Sequence, residues 1–332
     1  MGIYCPQSRL SFSPVFPKDS GPVGLISQSG GNAIYIVRQA ILRGIRFSKV
    51  ISYGNACDLD ESDLIEYLAS DPTTKIIALY IEGVRNGKRF RQVLEKAAGE
   101  KVVILLKAGV TEAGTRAVAG HTASLAGNKA TWDALCKQAR AISVSSLDEM
   151  IDVLVTLTFM PYPHGRNVIL IGGGGGASVL ITDEFEKHGL KLPRLPKKIE
   201  GEILKFTPAA GNILNNPIDY SQAMMYPEKS ARTIGILSRW EEADVLVKFA
   251  RTGQWVRPKD VFKNPAMFEG FIKQGNLTGK PVAIVLEPSI LPEEAEQIFA
   301  CIQDCVSSRL PVYFSFASAA NAIDLVLRHH DM

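Results

Sequence analysis

Three stretches of this 332-residue chain carry residue types suited to moving a phosphoryl group. Gly120-His121-Thr122-Ala123-Ser124-Leu125-Ala126-Gly127 sets one histidine among small residues. Ser27-Gln28-Ser29-Gly30-Gly31 and Gly172-Gly173-Gly174-Gly175-Gly176-Ala177 each follow an apolar run and precede a helical pattern. A neutral imidazole attacks phosphorus through one ring nitrogen when the other donates its hydrogen to a carboxylate or carbonyl. A glycine turn opening a helix presents free N–H groups and the positive helix end, which together cradle an anion. Ser27 and Ser29 add hydroxyl donors, and Glu82, closing Ala78-Leu79-Tyr80-Ile81, is the best-placed carboxylate to hold His121. Each feature also has a plainer role: a surface histidine, a strand-end surface acid, a glycine turn as punctuation. The five-glycine run loosely matches the dinucleotide fingerprint, but position 192 is Leu where a ribose-binding acid belongs.

The elements that must position these residues follow from hydrophobic periodicity. Val23–Ser27, Lys49–Tyr53, Lys75–Glu82 and Lys101–Lys107 read as strands, with a short edge strand at Ala141–Val144. Helical patterns lie between them at Asn32–Arg43, Ser62–Ala69, Arg89–Ala98 and Asn128–Arg140, with Leu147–Phe159 after the edge strand. Such alternation indicates βαβ units and a parallel sheet. The stretch Gly109–Gly127, almost entirely Gly, Ala, Thr and Ser, is expected to be an exposed, mobile loop. Met160-Pro161-Tyr162-Pro163-His164-Gly165 breaks the pattern, and a second unit starts at Asn167–Ile171. Its further elements are Ala177–His188, Val245–Ala250, Val282–Leu286, Glu293–Ser307 and Ala317–Arg328, with Gly253–Gly279 unassigned.

Composition sets the frame. Hydrophobic residues make up 46% and charged residues 21%, as in ordinary globular proteins. A formal charge of +3 gives no support for a nucleic-acid or membrane surface. No apolar run approaches the roughly 20 residues that span a bilayer. The five cysteines form no CxxC pair or Cys/His cluster, so no metal site is expected and a reducing cytoplasm is the natural compartment. The acids Asp58, Asp60, Glu61 and Asp63 read as caps of the following helix rather than a cation site.

Several motifs in fixed order now resemble one family, the ADP-forming (NDP-forming) acyl-CoA synthetases, the acetate–CoA ligases related to succinyl-CoA synthetase. They are Ser27-Gln28-Ser29-Gly30, Gly54-Asn55-Ala56-Cys57-Asp58, Leu79-Tyr80-Ile81-Glu82-Gly83, Leu106-Lys107-Ala108-Gly109, the His121 segment, and Asn216-Pro217-Ile218-Asp219. The resemblance implies an α/β chain with two flavodoxin-like parallel-sheet domains, helices on both faces, at 21–160 and 166–332. Residues 1–20 would be the end of a CoA-binding domain and its linker. It implies that His121 is the phosphorylated intermediate, oriented by Glu82. Ser27, Gln28, Ser29, Gly30 and Gly31, with Gly173, Gly174, Gly175, Gly176 and Ala177, would hold phosphate. The implied reaction turns acyl-CoA and phosphate into acyl phosphate and CoA, then passes the phosphoryl group through His121 to ADP. CoA, phosphate and Mg-ADP or Mg-ATP are then substrates, with no permanently bound cofactor. An ATP-grasp subunit or domain and a CoA-binding domain or subunit would be partners, a small carboxylic acid the other substrate, and the assembly a hetero-oligomer or homodimer. Two departures stand out: the family's Ser-His-Thr-Gly is Gly120-His121-Thr122-Ala123 here, and its Thr-Asn-Ala-Gly-Gly is Ile171-Gly172-Gly173-Gly174-Gly175. A carbamoyl or acyl transfer enzyme on the same domains, or a non-catalytic acyl-CoA-sensing regulatory module, are the alternative readings. Retention of both His121 and Glu82 weighs against the regulatory one.

Overall fold

The computed structural model describes residues 2–122, 129–172, 175–207, 213–219, 227–251, 279–287 and 292–331. The chain divides into two compact units, residues 1–154 with 329–332, and residues 155–328.

In the first unit the strands are β1 (Ile3–Tyr4), β2 (Val23–Ser27), β3 (Phe47–Ser52), β4 (Ile76–Ile81), β5 (Val102–Lys107) and β6 (Ile142–Val144). They form one sheet in the order β1-β3-β2-β4-β5-β6. Every pairing is parallel except β1 with β3, where Ile3 lies opposite Ile51 and Tyr4 opposite Val50. The helices are α1 (Gly30–Leu42), α2 (Glu61–Ser70), α3 (Gly87–Glu100), α4 (Glu112–Thr122), α5 (Lys129–Ala139) and α6 (Leu147–Phe159), the last crossing the division between units. β2 and β4 are buried along their whole length, as a parallel sheet covered on both faces requires. Side chains alternate between faces. Ile77, Leu79 and Ile81 join Leu64, Ile65 and Leu68 of α2, Phe90 and Leu94 of α3, and Trp132 and Cys136 of α5 in one core. By the same alternation Ala78, Tyr80 and the following Glu82 face the other side, where Tyr80 meets Asn32 of α1. On α1, a buried ion pair joins Arg43 to Asp152 of α6 at 2.6 Å.

The second unit holds β7 (Val168–Ile171), β8 (Ile213–Leu214), β9 (Ile218–Asp219), β10 (Val245–Arg251), β11 (Val282–Glu287) and β12 (Val312–Tyr313). Their order is β12-β11-β10-β7-β9-β8, parallel but for β8 with β9. Its helices are α7 (Gly175–Lys187), α8 (Lys197–Leu204), α9 (Pro227–Leu237), α10 (Pro292–Ser307) and α11 (Phe316–His330), the last ending across the division. One face packs Ile169, Ile171, Leu246 and Ile284 against Ile203 of α8, Ile234 and Leu237 of α9, and Ile298 and Ile302 of α10. On the other, the ring of Phe249 packs tilted against that of Phe316 of α11, their centroids 4.2 Å apart. Both units are thus mixed α/β layers with parallel-dominated sheets. Of the unassigned stretch Gly253–Gly279, residues 253–278 lie outside the described residues.

The expected loop at Gly109–Gly127 is corrected. From Glu112 to Thr122 the chain is helical, and 123–128 lie outside the described residues. The sequence supports that helix without a hydrophobic stripe. Thr111 caps it by accepting from the Gly114 N–H at 3.1 Å. Glu112 pairs with Arg116 one turn on at 2.8 Å, and Ala113, Ala117 and Ala119 are strong helix formers. Gly109 turns the chain into it at φ +72°, where a Cβ would meet Val118 Cγ2 at 2.6 Å.

Candidate active site

The first glycine turn is built at the end of β2. Ser27 pairs in register with Tyr80 of β4, and the Gln28 N–H continues the ladder to the Tyr80 carbonyl at 3.0 Å. The Ser27 hydroxyl is fully buried and donates to the Ser29 carbonyl at 2.7 Å, while the Ser29 N–H returns to Ser27 Oγ at 3.2 Å. That closes the turn on itself, so Ser27 shapes the cradle from inside. Ser29 is the N-cap of α1, its Oγ accepting from the Asn32 N–H at 3.3 Å, a contact worth about 1 kcal/mol to the helix. Gly30 and Gly31 are the first two residues of α1, with Gly31 exposed and its N–H among those that no helical carbonyl reaches. The positive end of a 13-residue helix therefore faces outward at this turn, and the turn can hold an anion.

Glu82 stands beside it. The sequence allowed a surface acid here, but the residue is only 6% exposed. Tyr80 donates from its hydroxyl to Glu82 Oε1 at 3.3 Å and is hydrogen-bonded to the Asn32 side chain. Burial, with the charge and hydrogen bond of Glu82 added, pushes the Tyr80 phenol up to about 12, so it remains a neutral donor at physiological pH. The backbone of Glu82 is held as well. Its N–H and that of Gly83 donate to Gln28 Oε1 at 2.7 and 3.0 Å, and its carbonyl accepts from Lys107 Nζ at 2.8 Å. Lys107 also donates to the Ala108 carbonyl and sits 5.4 Å from the centre of the Trp132 ring. Burial lowers the affinity of Lys107 for its proton, and the Glu82 charge opposes that.

His121 is the penultimate residue of α4, whose sequence begins five residues beyond Lys107. The structure thus brings Ser27, Gln28, Ser29, Gly30, Gly31 and Glu82 to one end of the first sheet. In the second unit Gly172, at φ +108°, leaves β7 and donates its N–H to the Ile218 carbonyl at 2.9 Å. Gly175, Gly176 and Ala177 open α7, whereas Gly173 and Gly174 lie outside the described residues. Asn216, read from the sequence only as part of a motif, accepts from the Leu170 N–H and donates to the Val168 carbonyl, fixing the edge of β7.

Tyr80 and Asn32 escaped the sequence reading. Tyr80 looked like one more apolar strand position, and Asn32 like an ordinary first-turn residue. The signal for Lys107 was a cation ending the otherwise apolar run Val102–Leu106. As the sequence suggested, Asp60 caps α2 in a reciprocal box with Asp63. Among the described residues no group of three or more His, Cys, Asp or Glu is placed to hold a metal ion, and no helix is long and apolar enough to cross a membrane.

Comparison with known proteins gives this arrangement its context. The succinyl-CoA ligase-like flavodoxin domain matches residues 20–157. The alpha subunit of ADP-forming acetate–CoA ligase II from Pyrococcus furiosus is 37% identical over 302 residues, covering 90% of this chain and 64% of that protein. ADP-forming acetate–CoA ligase I from Archaeoglobus fulgidus is 30% identical over 320 residues, 96% of this chain and 43% of that protein. A solved acetyl-coenzyme A synthetase from Ca. Korarchaeum cryptofilum, in complex with phosphate and ADP, superposes with a TM-score of 0.81 at 30% identity, covering 99% of this chain and 69% of that one.

The chain belongs to the ADP-forming acyl-CoA synthetase family.

Members of this family include ligases of acetate and of 4-hydroxybutyrate. The chain spans 64% and 43% of the length of the two ligases described above.

Proposed function

We propose that this chain supplies the phosphoryl-handling part of an ADP-forming acyl-CoA synthetase, acting with ATP-grasp and CoA-binding partners. In this reading phosphate bound at Ser27–Gly31 attacks the acyl thioester, CoA leaves as the thiol, and acyl phosphate forms. The imidazole of His121 then takes the phosphoryl group, releasing the carboxylate of a small acid. Mg-ADP on the ATP-grasp partner accepts it from His121 and becomes ATP. Glu82 receives the hydrogen bond of the second imidazole nitrogen, fixing the tautomer that leaves the first free to attack. The α1 N-terminus stabilises charge on the transferring group. A cytoplasmic location goes with these substrates.

One observation carries the reading: the backbone N–H groups of the buried Glu82 and of Gly83 are tied to Gln28 in the turn that opens α1, and the Glu82 carboxylate accepts from the Tyr80 hydroxyl. An acid serving only solubility would lie at the surface instead. The test is intact-mass and acid-lability analysis after incubation with Mg-ATP and an active ATP-grasp partner, for the wild type and His121→Asn. One acid-labile phosphate, absent from the variant, is expected. No phosphate on the wild type overturns the synthetase reading.

A further inference from the structure

We propose that Gln28 is a positioning residue that couples the anion-binding turn to Glu82, its side-chain oxygen holding Glu82 while its NH2 group serves the anion. The role given to Glu82 rests on the synthetase reading above. The coupling itself rests on geometry.

Parallel strands β2 and β4 hydrogen-bond in register up to Ser27 and Tyr80, and the Gln28 N–H adds one bond to the Tyr80 carbonyl. Beyond that point the two backbones part, one into the glycine turn and one into Glu82-Gly83. The Gln28 side chain carries the ladder on. Its Oε1 accepts from two successive amides, Glu82 at 2.7 Å and Gly83 at 3.0 Å. Two donors on one atom identify that atom as the amide oxygen, since the nitrogen cannot accept. The Gln28 NH2 group is therefore directed elsewhere, and among the described residues no acceptor is found for it. Gln28 is itself buried, so its rotamer is held by packing. A second link runs in parallel, from Asn32 in the first turn of α1 through the Tyr80 hydroxyl to the Glu82 carboxylate. The turn and the carboxylate are thus joined at backbone and at side chain. A buried N–H pair left without Gln28 would lose its acceptor, and residues 82–83 would be free to reorient.

Two substitutions separate these roles in the full chain assayed with its ATP-grasp and CoA-binding partners. Gln28→Met keeps the length and removes both acceptor and donors. Gln28→Glu keeps an acceptor oxygen, removes the NH2 donors and adds a negative charge. The first readout is hydrogen exchange at the Glu82 and Gly83 amides, which needs no activity. Gln28→Met is expected to speed exchange there about tenfold or more while the amides of Ile77–Ile81 stay protected, and Gln28→Glu to keep protection. The second readout is single-turnover phosphorylation of His121 from acyl-CoA and inorganic phosphate, in which phosphate displaces the CoA thiol and the resulting acyl phosphate passes its phosphoryl group to His121 and leaves as the carboxylate. At saturating phosphate, Gln28→Met is expected to slow it on the order of 100-fold, the scale of a misplacement near 1 Å. Gln28→Glu should stay within about tenfold at saturation but show a raised KM for phosphate, from lost donors and charge repulsion. Unchanged exchange in Gln28→Met, or loosened amides with an unchanged rate, overturns the proposal. Absence of phosphorylation in the wild type overturns the synthetase reading alone, and the exchange data still decide the tether.

Discussion

Replacing Lys248 with Met should change how the stability of the second unit responds to pH. Lys248 lies in β10, opposite Ile171 on one side and Ile284 on the other, and is 1% exposed. Burial pulls its proton affinity down from 10.5 to about 7. The unfolded chain keeps that proton until pH 10.5, whereas the folded chain releases it near 7. Between those values the unfolded state binds more protons, so folding stability rises with pH. The whole difference corresponds to about 5 kcal/mol at low pH, and about half of it is relieved between pH 6 and 9. Lys248→Met retains an apolar stem of similar length and deletes the titrating group. Urea unfolding of both proteins at pH 6, 7.5 and 9 measures the difference at each pH, which cancels titrations the two share. The wild type should gain about 2–3 kcal/mol on the variant across that range. Parallel profiles would refute the claim that burial governs Lys248. A gain in the opposite direction would mean that the fold favours the charged form.

Two further outcomes test the first unit. Asp152→Asn leaves the buried Arg43 guanidinium without its 2.6 Å carboxylate and should cost about 3 kcal/mol in urea unfolding, most of it recovered when Arg43→Met is combined with Asp152→Leu. A loss below about 1 kcal/mol for the single variant would contradict that assignment. Asp60→Ala removes the acceptor of the Ser62 and Asp63 N–H groups at 2.8 and 3.1 Å, and with it the reciprocal cap of α2. Thermal unfolding should show a loss of about 1–2 kcal/mol, and an unchanged melting temperature would show that tertiary packing alone holds this helix end.

The strands that carry the candidate site were legible because they are long and apolar. Val23–Ser27 and Ile76–Ile81 stand out against flanking turn residues, and their parallel pairing follows from the helices between them. The two-residue strands β1, β8, β9 and β12 were not legible, since a period of two needs more than two residues to show. The helix bearing His121 carries the composition of a loop for a related reason. Its run of Ala, Gly and Thr gives the apolar period little to show, while alanine propensity and the Thr111 cap favour the helix. Glu82 was legible as a carboxylate at a strand end, yet its burial was not. That burial depends on Gln28, 54 positions away in sequence, and on Lys107, 25 positions away. Contacts made across a sheet leave no local trace in the chain.

The short strand β1 has a consequence for the outer edge of the first sheet. Tyr4 is almost fully buried, its hydroxyl donates to the Pro17 carbonyl at 2.6 Å, and its ring packs near Phe16. Because β1 runs antiparallel along β3, it occupies backbone groups that would otherwise form an open template for a strand from another molecule. These few residues therefore work as a seal against self-association. Trimming the chain to Ser11 would uncover the margin of β3, and such a protein should fail by sticking to its own copies before it fails by unfolding.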